Sequence, residues 1–368
     1  MLARHIALAI TAIGVMTPLL IGQGTSITYL KAGEPRTITV ELLDESLTEL
    51  KYRQGRGERT LSTTDLVDIQ YGPGSDSLEQ GKAALESQNL DKAVAQFLLA
   101  SQDTDPPWVA PHALLMQADA SLRQGEKGVA VAMAAVDDFI KRFPTHRLLP
   151  RAWIIRISLS SSLPEADMAV AEVARLADDD QIAPQWRVEA LLAKGNHLLD
   201  QEDLTEAAEA FKAAERAAAD GERDVGDRVD YIPVLKALGL KARNGTGTCL
   251  LSSGDLSAAR SFYQQLLQDG AKHAELAIAA QNGLAACDFR DGGRLEEAQL
   301  GFAQVYLTGA RVPEEHARSM YYLGRCAESL AEAGTDSTGR QKAAAYFDEL
   351  KHRYPDTRWA RLAQEHSP

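Results

Sequence analysis

One spacing recurs along this chain and constrains its fold more than any other feature. A small residue is followed twelve positions later by Ala, four after that by a bulky and usually aromatic residue, and three further on by a small or apolar one. The best copies are Gly81, Ala93, Phe97 and Ala100; Gly195, Ala207, Phe211 and Ala214; Gly247, Ala259, Tyr263 and Leu266; and Ala286, Ala298, Phe302 and Val305. Two are weaker: Ala118, Ala130 and Ala134, with Asp137 in the last place, and Ile157, Ala169, Val173 and Leu176. A seventh, Gly324, Ala343, Phe347 and Leu350, carries seven extra residues before its Ala. Two antiparallel helices cross closely only where one side chain is small, so Gly or Ala belongs at the crossing. The bulky residue then fills the wedge toward the next pair. One pair cannot bury its apolar face alone, so the copies must stack.

Turn signals separate the paired helices: Gln88-Asn-Leu, Gln124-Gly-Glu, Glu202-Asp-Leu, Gly254-Asp-Leu and Gly292-Gly-Arg-Leu. Second helices stop near proline, at Asp105-Pro-Pro, Phe143-Pro and Tyr354-Pro. This pattern resembles the tetratricopeptide repeat family over roughly residues 76–357. Trp153-Ile-Ile resembles the family's early Trp, and Phe143-Pro-Thr-His and Tyr354-Pro-Asp-Thr resemble repeat joints of its bacterial cell-envelope members, such as the repeat domain of the Tol–Pal coordinator. The resemblance implies a right-handed α-solenoid of about seven helical hairpins. The recurring alanines at 93, 130, 169, 207, 259, 298 and 343 are 37, 39, 38, 52, 39 and 45 residues apart, against about 34 in the family consensus. The gap of 52 holds an acidic run at 220–230, so we expect a charged turn there and two subarrays, 76–219 and 231–366, the second closed by a capping helix.

The first seventy residues differ in kind. Arg4 and His5 precede an uncharged run at 6–22, the order of a secretory signal peptide, with Gly22 and Gly24 as small residues before a cleavage point. The alternative is an uncleaved inner-membrane anchor formed by 6–22. Cys249 is the first cysteine, which excludes an N-terminal lipoprotein. Residues 25–72 then alternate in the manner of short strands at 27–31, 37–43, 48–53 and 66–71, with turn residues between them. We expect a small antiparallel β module, as a meander or a curled barrel, leaning on the helices because so few residues bury little surface. The string Tyr71-Gly-Pro-Gly-Ser reads as the linker.

The chain carries a net charge of -13. An acidic surface repels phosphate, so nucleic acid is not an expected partner. No His-Glu-x-x-His, phosphate-cradling glycine loop or nucleophile elbow is present, so no enzyme, small-molecule substrate or cofactor is expected. The eight histidines are scattered, and a metal site would have to assemble from distant copies. Asp220, Glu222 and Asp224 alternate as in a calcium loop, but Val225 and Tyr231 stand where such a loop needs Gly and Glu. Asn244-Gly-Thr matches a glycosylation sequon inside an expected helix. Gly247 is explained there by the helix crossing, whereas Gly245 has no explanation from the pattern. Cys249, Cys287 and Cys326 fall at similar places on successive helices too far apart for disulfides, so free buried thiols are expected.

The family resemblance implies a concave groove lined by the first helix of each pair, receiving a protein or peptide partner. The residues after the crossing positions are expected to face it: Lys82, Asp119, Ser158, Asn196, Thr248, Cys287 and Arg325. Flanking them are Leu78, Leu85, Leu115, Leu122, Ile154, Leu192, Leu199, Leu251 and Tyr321, with Arg290, Asp291 and Arg318 charging the C-terminal half. The leucines equally suit packing between neighbouring first helices. The Lys/Asn/Arg set with which some family members clamp a C-terminal carboxylate is not found on adjacent helices, which disfavours an acidic tail as ligand. The leading expectation is a non-enzymatic interaction scaffold in the periplasm or cell envelope, exported or held by one N-terminal membrane contact. A structural envelope spacer is the alternative, and an anchored scaffold facing the cytosol is the third reading.

Overall fold

The computed structural model describes residues 24–366 apart from 33, 160–164, 180–181, 226–231, 271–272, 336, 356 and 365. The segment 6–22, read as a signal peptide or anchor, lies outside the described residues. Among those described, no helix is long and apolar enough to cross a membrane.

Five strands form the N-terminal module: β1 (Thr25–Lys31), β2 (Glu34–Glu45), β3 (Glu49–Gln54), β4 (Gly57–Ser62) and β5 (Leu66–Gln70). They make one antiparallel sheet in the order β4-β3-β2-β1-β5. The fourth strand was not among the runs read from the sequence, because Gly-Glu-Arg-Thr-Leu-Ser is mostly polar and exposed; Leu61 is its one buried residue. The sheet stays open, with β4 and β5 as its edges. Its apolar face, Ile27, Val40, Leu42, Leu50, Tyr52 and Leu66, shares one core with Leu78, Ala93, Phe97, Trp108 and Val109 of the first helices. The module therefore leans on the helical array. The linker is pinned too, since the Tyr71 ring lies 4.6 Å from Trp108 and 4.4 Å from His112.

Seven helical hairpins follow: α1 (Asp76–Glu86) with α2 (Leu90–Ala100), α3 (Val109–Leu122) with α4 (Val129–Arg142), α5 (Leu149–Leu159) with α6 (Glu165–Ala177), α7 (Pro184–Asp200) with α8 (Leu204–Val225), α9 (Ile232–Ser252) with α10 (Leu256–Asp269), α11 (Ala274–Asp291) with α12 (Leu295–Thr308), and α13 (Pro313–Glu332) with α14 (Gly339–Arg353). A capping helix, α15 (Arg358–Gln364), ends the solenoid. Among the described residues, the turns inside six hairpins each contain one residue of left-handed backbone. It is Gly125, Gly254, Gly292 and Gly334 in four hairpins, and Gln88 (φ 60°) and Glu202 (φ 62°) in two others.

The recurring aromatics sit where the spacing puts them. Phe97, Phe211, Tyr263, Phe302 and Phe347 are all buried at 1 % exposure or less. A Cβ built on Gly81, Gly195, Gly247 or Gly324 would come within 2.4–2.8 Å of its own hairpin's aromatic ring. The structure also explains Gly245. A Cβ there would lie 2.5 Å from Phe211, and one on Gly283 would lie 2.2 Å from Tyr263. Each of these two rings is thus held between a glycine of its own first helix and a glycine of the next.

Three readings of the sequence need correction. In the second hairpin the buried positions are Ala132, Val136 and Phe139, two residues later than Ala130, Ala134 and Asp137. A 3₁₀ turn at Gly125–Gly128 lengthens the connection and shifts the register. The acidic stretch read as a turn is helical as far as Val225, with Asp220 paired to Arg223 inside α8. The fourth and fifth hairpins, expected to fall into separate subarrays, share a core: Val188, Phe211 and Ala218 pack with Leu235, Leu238 and Ala242. The loop between them, 226–231, is outside the described residues.

Replacing Gly283 by Ala should lower stability by about 1–3 kcal/mol through overpacking against Tyr263, although Ala is the better helix former. Gly293→Ala, where an added Cβ meets nothing within 4 Å, should stay within about 0.5 kcal/mol of the parent. Urea denaturation of both variants compares the two.

Candidate functional site

The solenoid curls until its end meets its middle. Arg358 of α15 lies 3.6 Å from Asp200 of α7. Trp359 donates its indole N–H to Glu314 Oε1 at 2.9 Å, and its ring lies tilted against that of Tyr321 at 5.6 Å. Two adjoining cavities result on the inner side of the curl. The larger, about 510 Å³, has an apolar floor from Ile154, Ile157, Leu192, Leu199, Leu240 and Leu276, and a mixed rim that includes Lys241, Glu275, Glu314 and Arg361. The smaller, about 330 Å³, is lined by Arg290, Arg318, Arg325 and Arg358, by Phe289, Tyr321, Tyr322 and Trp359, and by Thr248, Leu251, Ser252 and Leu362. Thr248, Arg318, Arg358 and Trp359 belong to both.

Between the cavities lies a buried polar network. Glu315, 5 % exposed, receives the Asn244 and Asn282 amide N–H groups on its two oxygens, each at 2.7 Å. Asn282 also donates to the Glu315 carbonyl at 2.8 Å. Arg318 is 2 % exposed, and its Nη1 lies 3.7 Å from Glu315 Oε2. Burial works to lower the Arg318 guanidinium, and Tyr263, Glu315 and Tyr322 around it outweigh that, so it stays charged. Its plane lies 5.6 Å from the Trp359 ring centre. Burial, helped by the neighbouring Glu315, raises the Glu314 carboxyl. The amide of Asn244, the sequon residue, is thus engaged inside the fold.

The expected groove residues separate into two groups. Asn196, Leu199 and Thr248 line the larger cavity, and Thr248, Arg290, Tyr321 and Arg325 the smaller. The N-terminal four do not join them. Lys82 pairs with Glu79 at 2.8 Å and sits over the Trp108 ring. Asp119 pairs with Arg151 on α5. Leu85 and Leu122 pack against the cores of the first hairpins. Leu78, Leu115 and Cys287 are interior, so these positions are packing and not groove. Ser158 lies in α5, and its side chain is outside the described residues. Arg358, Trp359 and Arg361 were missed, since nothing local in α15 shows that the curl returns it to α7.

One family model and one solved structure agree with this architecture. A family model described as tetratricopeptide repeat matches residues 166–222. Over those residues the chain matches the tetratricopeptide repeat family, and the array as a whole has that family's fold. Among solved structures, the array is similar to a tetratricopeptide repeat protein from Parabacteroides merdae, with a TM-score of 0.50 and 15 % identity over 78 % of this chain and 98 % of that one. A second match is the tetratricopeptide repeat domain of P58(IPK), with a TM-score of 0.29 and 14 % identity over 79 % of this chain and 96 % of that domain. No curated protein matches the chain.

The three cysteines are free and buried. Burial pushes the Cys249 thiol up to about 11 and the Cys326 thiol up to about 12, and raises Cys287 as well. Thiolate is the reactive form. At pH 8 a maleimide should therefore leave all three unmodified in the native chain and modify all three in urea, as read by intact mass. Glu315→Ala should lower stability by about 3–5 kcal/mol, because it leaves a buried guanidinium without its carboxylate; chemical denaturation checks this.

Proposed function

We propose that this tetratricopeptide repeat protein is a non-enzymatic interaction scaffold whose inner surface, over hairpins four to seven and the cap, holds a segment of a protein partner. The observation that carries this reading is the smaller cavity. In a chain with a net charge of -13, four arginines and four aromatic rings converge on it, and no carboxylate is among its described lining residues, although Glu315, Glu328 and Asp200 pair with three of the arginines from outside it. Such a lining suits a carboxylate held by forked guanidinium donors and covered by aromatic faces. The adjoining apolar floor suits aliphatic side chains. The segment that fits both is extended or helical, with apolar residues leading to an acidic one.

The sequence reading had disfavoured an acidic ligand, because it looked for cationic residues on adjacent first helices. Here Arg358 comes from the cap and not from a first helix. The basic start and apolar run at 1–22 support placement outside the cytoplasm, exported or anchored at a membrane.

Fluorescence anisotropy with the full chain and labelled peptides tests the reading. Peptides pairing leucine with aspartate or glutamate should bind, and lysine-substituted versions should not. Arg290→Glu and Arg325→Glu should each weaken binding by about tenfold or more while circular dichroism is unchanged, and added salt should weaken it further. Failure of every acidic-apolar peptide to bind would favour the spacer reading.

A further inference from the structure

The geometry points to a divalent-cation site of the zinc type at the junction of the β module and the solenoid, made by Glu45, His112 and His146. Sequence spacing offers no hint of it, because the ligands come from the end of β2, from α3, and from the loop between α4 and α5. The fold brings them together through a bridge between Ser46 and His146, and through the Leu47 N–H, which donates to the Thr145 carbonyl at 2.8 Å.

Three ligand atoms converge. Glu45 Oε1 lies 3.8 Å from His112 Nε2 and 3.8 Å from His146 Nε2. One ligand atom from each residue lies within 4.8 Å of those of the other two. All three named atoms are buried and have no hydrogen-bond partner. Glu45 is 4 % exposed and His146 7 %. Buried polar atoms are nearly always satisfied, so three orphans aimed at one point call for an occupant. Zinc binds imidazole and carboxylate at about 2.0–2.2 Å, which sets tetrahedral ligand atoms about 3.3–3.6 Å apart. The two distances from Glu45 need contract by only a few tenths of an ångström. Two imidazoles and one carboxylate select a borderline first-row cation over calcium or magnesium.

The surroundings orient the carboxylate. The outer oxygen, Glu45 Oε2, accepts the Tyr71 hydroxyl at 2.7 Å and Arg147 Nε at 2.9 Å. Arg147 Nη2 also donates to the Tyr71 hydroxyl at 2.6 Å. That leaves Oε1 directed at the two rings, as an outer shell does around a metal ligand. Two features oppose binding. Arg147 offsets the carboxylate charge. His146 Nδ1 accepts the Leu148 N–H at 3.1 Å, so ligation through Nε2 requires the other tautomer and gives up that contact.

The experiment is calorimetric titration of zinc chloride into the full chain, free of any histidine tag and stripped by chelator, with thermal melts in parallel. One zinc should bind per chain and raise the melting temperature, and chelator should reverse both. His112→Ala changes a half-buried ring at the rim, keeps the junction, and should weaken zinc by about tenfold or more with unchanged circular dichroism. Glu45→Gln should do the same; if it loosens the fold, the His112 variant and the wild-type stoichiometry decide. Absence of stoichiometric zinc on the wild-type chain overturns the proposal. So does zinc binding that His112→Ala and His146→Ala leave unchanged, which would place the ion elsewhere.

Discussion

The rest of the structure depends on an aromatic ring pressed between two backbones. A second helix can lie against its own first helix, and against the next hairpin's, only if both leave room for the ring it inserts. Gly195 and Gly245 leave that room around Phe211, and Gly247 and Gly283 leave it around Tyr263. Burying one such ring removes enough apolar surface from water to contribute about 2–3 kcal/mol. The steric fit fixes how far each hairpin is offset from the last. Repeated along the array, with Val136 and Val173 in the ring's place in the second and third hairpins, that offset sets the curl of the solenoid.

The curl is what makes a site. Hairpin spacing alone would leave Arg290, Arg318 and Arg325 on successive turns of an open surface. Because the array tightens until α15 meets α7, Arg358 and Trp359 close the arginines into a cavity, and the buried Glu315 network lies where the first helices converge. Burial works against Arg318 and is outweighed by Tyr263, Glu315 and Tyr322 around it, and the two asparagines hold Glu315 in place. The β module acts at the other end. Glu45 sits under the sheet at the second inter-hairpin loop. There burial works to raise its carboxyl, and His112, Arg147 and His146 around it more than reverse that. The same burial holds the His146 ring down to about 4.

The hairpins were readable from the chain because their constraint is local: one small residue and one ring at fixed helical distance. The readings failed where a local rule met a longer-range one. The 3₁₀ turn at Gly125–Gly128 moved the second hairpin by two residues, which is why Asp137 stood in a place meant for an apolar residue. Gly245 had no explanation until the neighbouring hairpin supplied Phe211. Of the lining of the two cavities, the part on α7, α9, α11 and α13 includes Asn196, Leu199, Thr248, Arg290, Tyr321 and Arg325, which the repeat pattern had singled out. The part built by α15 was not, because its position is the sum of every offset before it. Lys82 and Asp119 share the repeat position of Asn196 and Thr248, and Leu85 and Leu122 that of Leu199, but they are engaged by the β sheet and neighbouring helices.

The central claim is that the inner surface of the curl, and not its outer face, meets the partner. Site-specific photo-crosslinking in the native host tests it most directly, with the probe at Thr248 between the two cavities or at Leu300, which is 73 % exposed on α12. The account predicts discrete crosslinked protein products from position 248 that disappear when Arg290 is changed to Glu, and none from position 300. Products from position 300 alone would contradict it and turn attention to the outer helices.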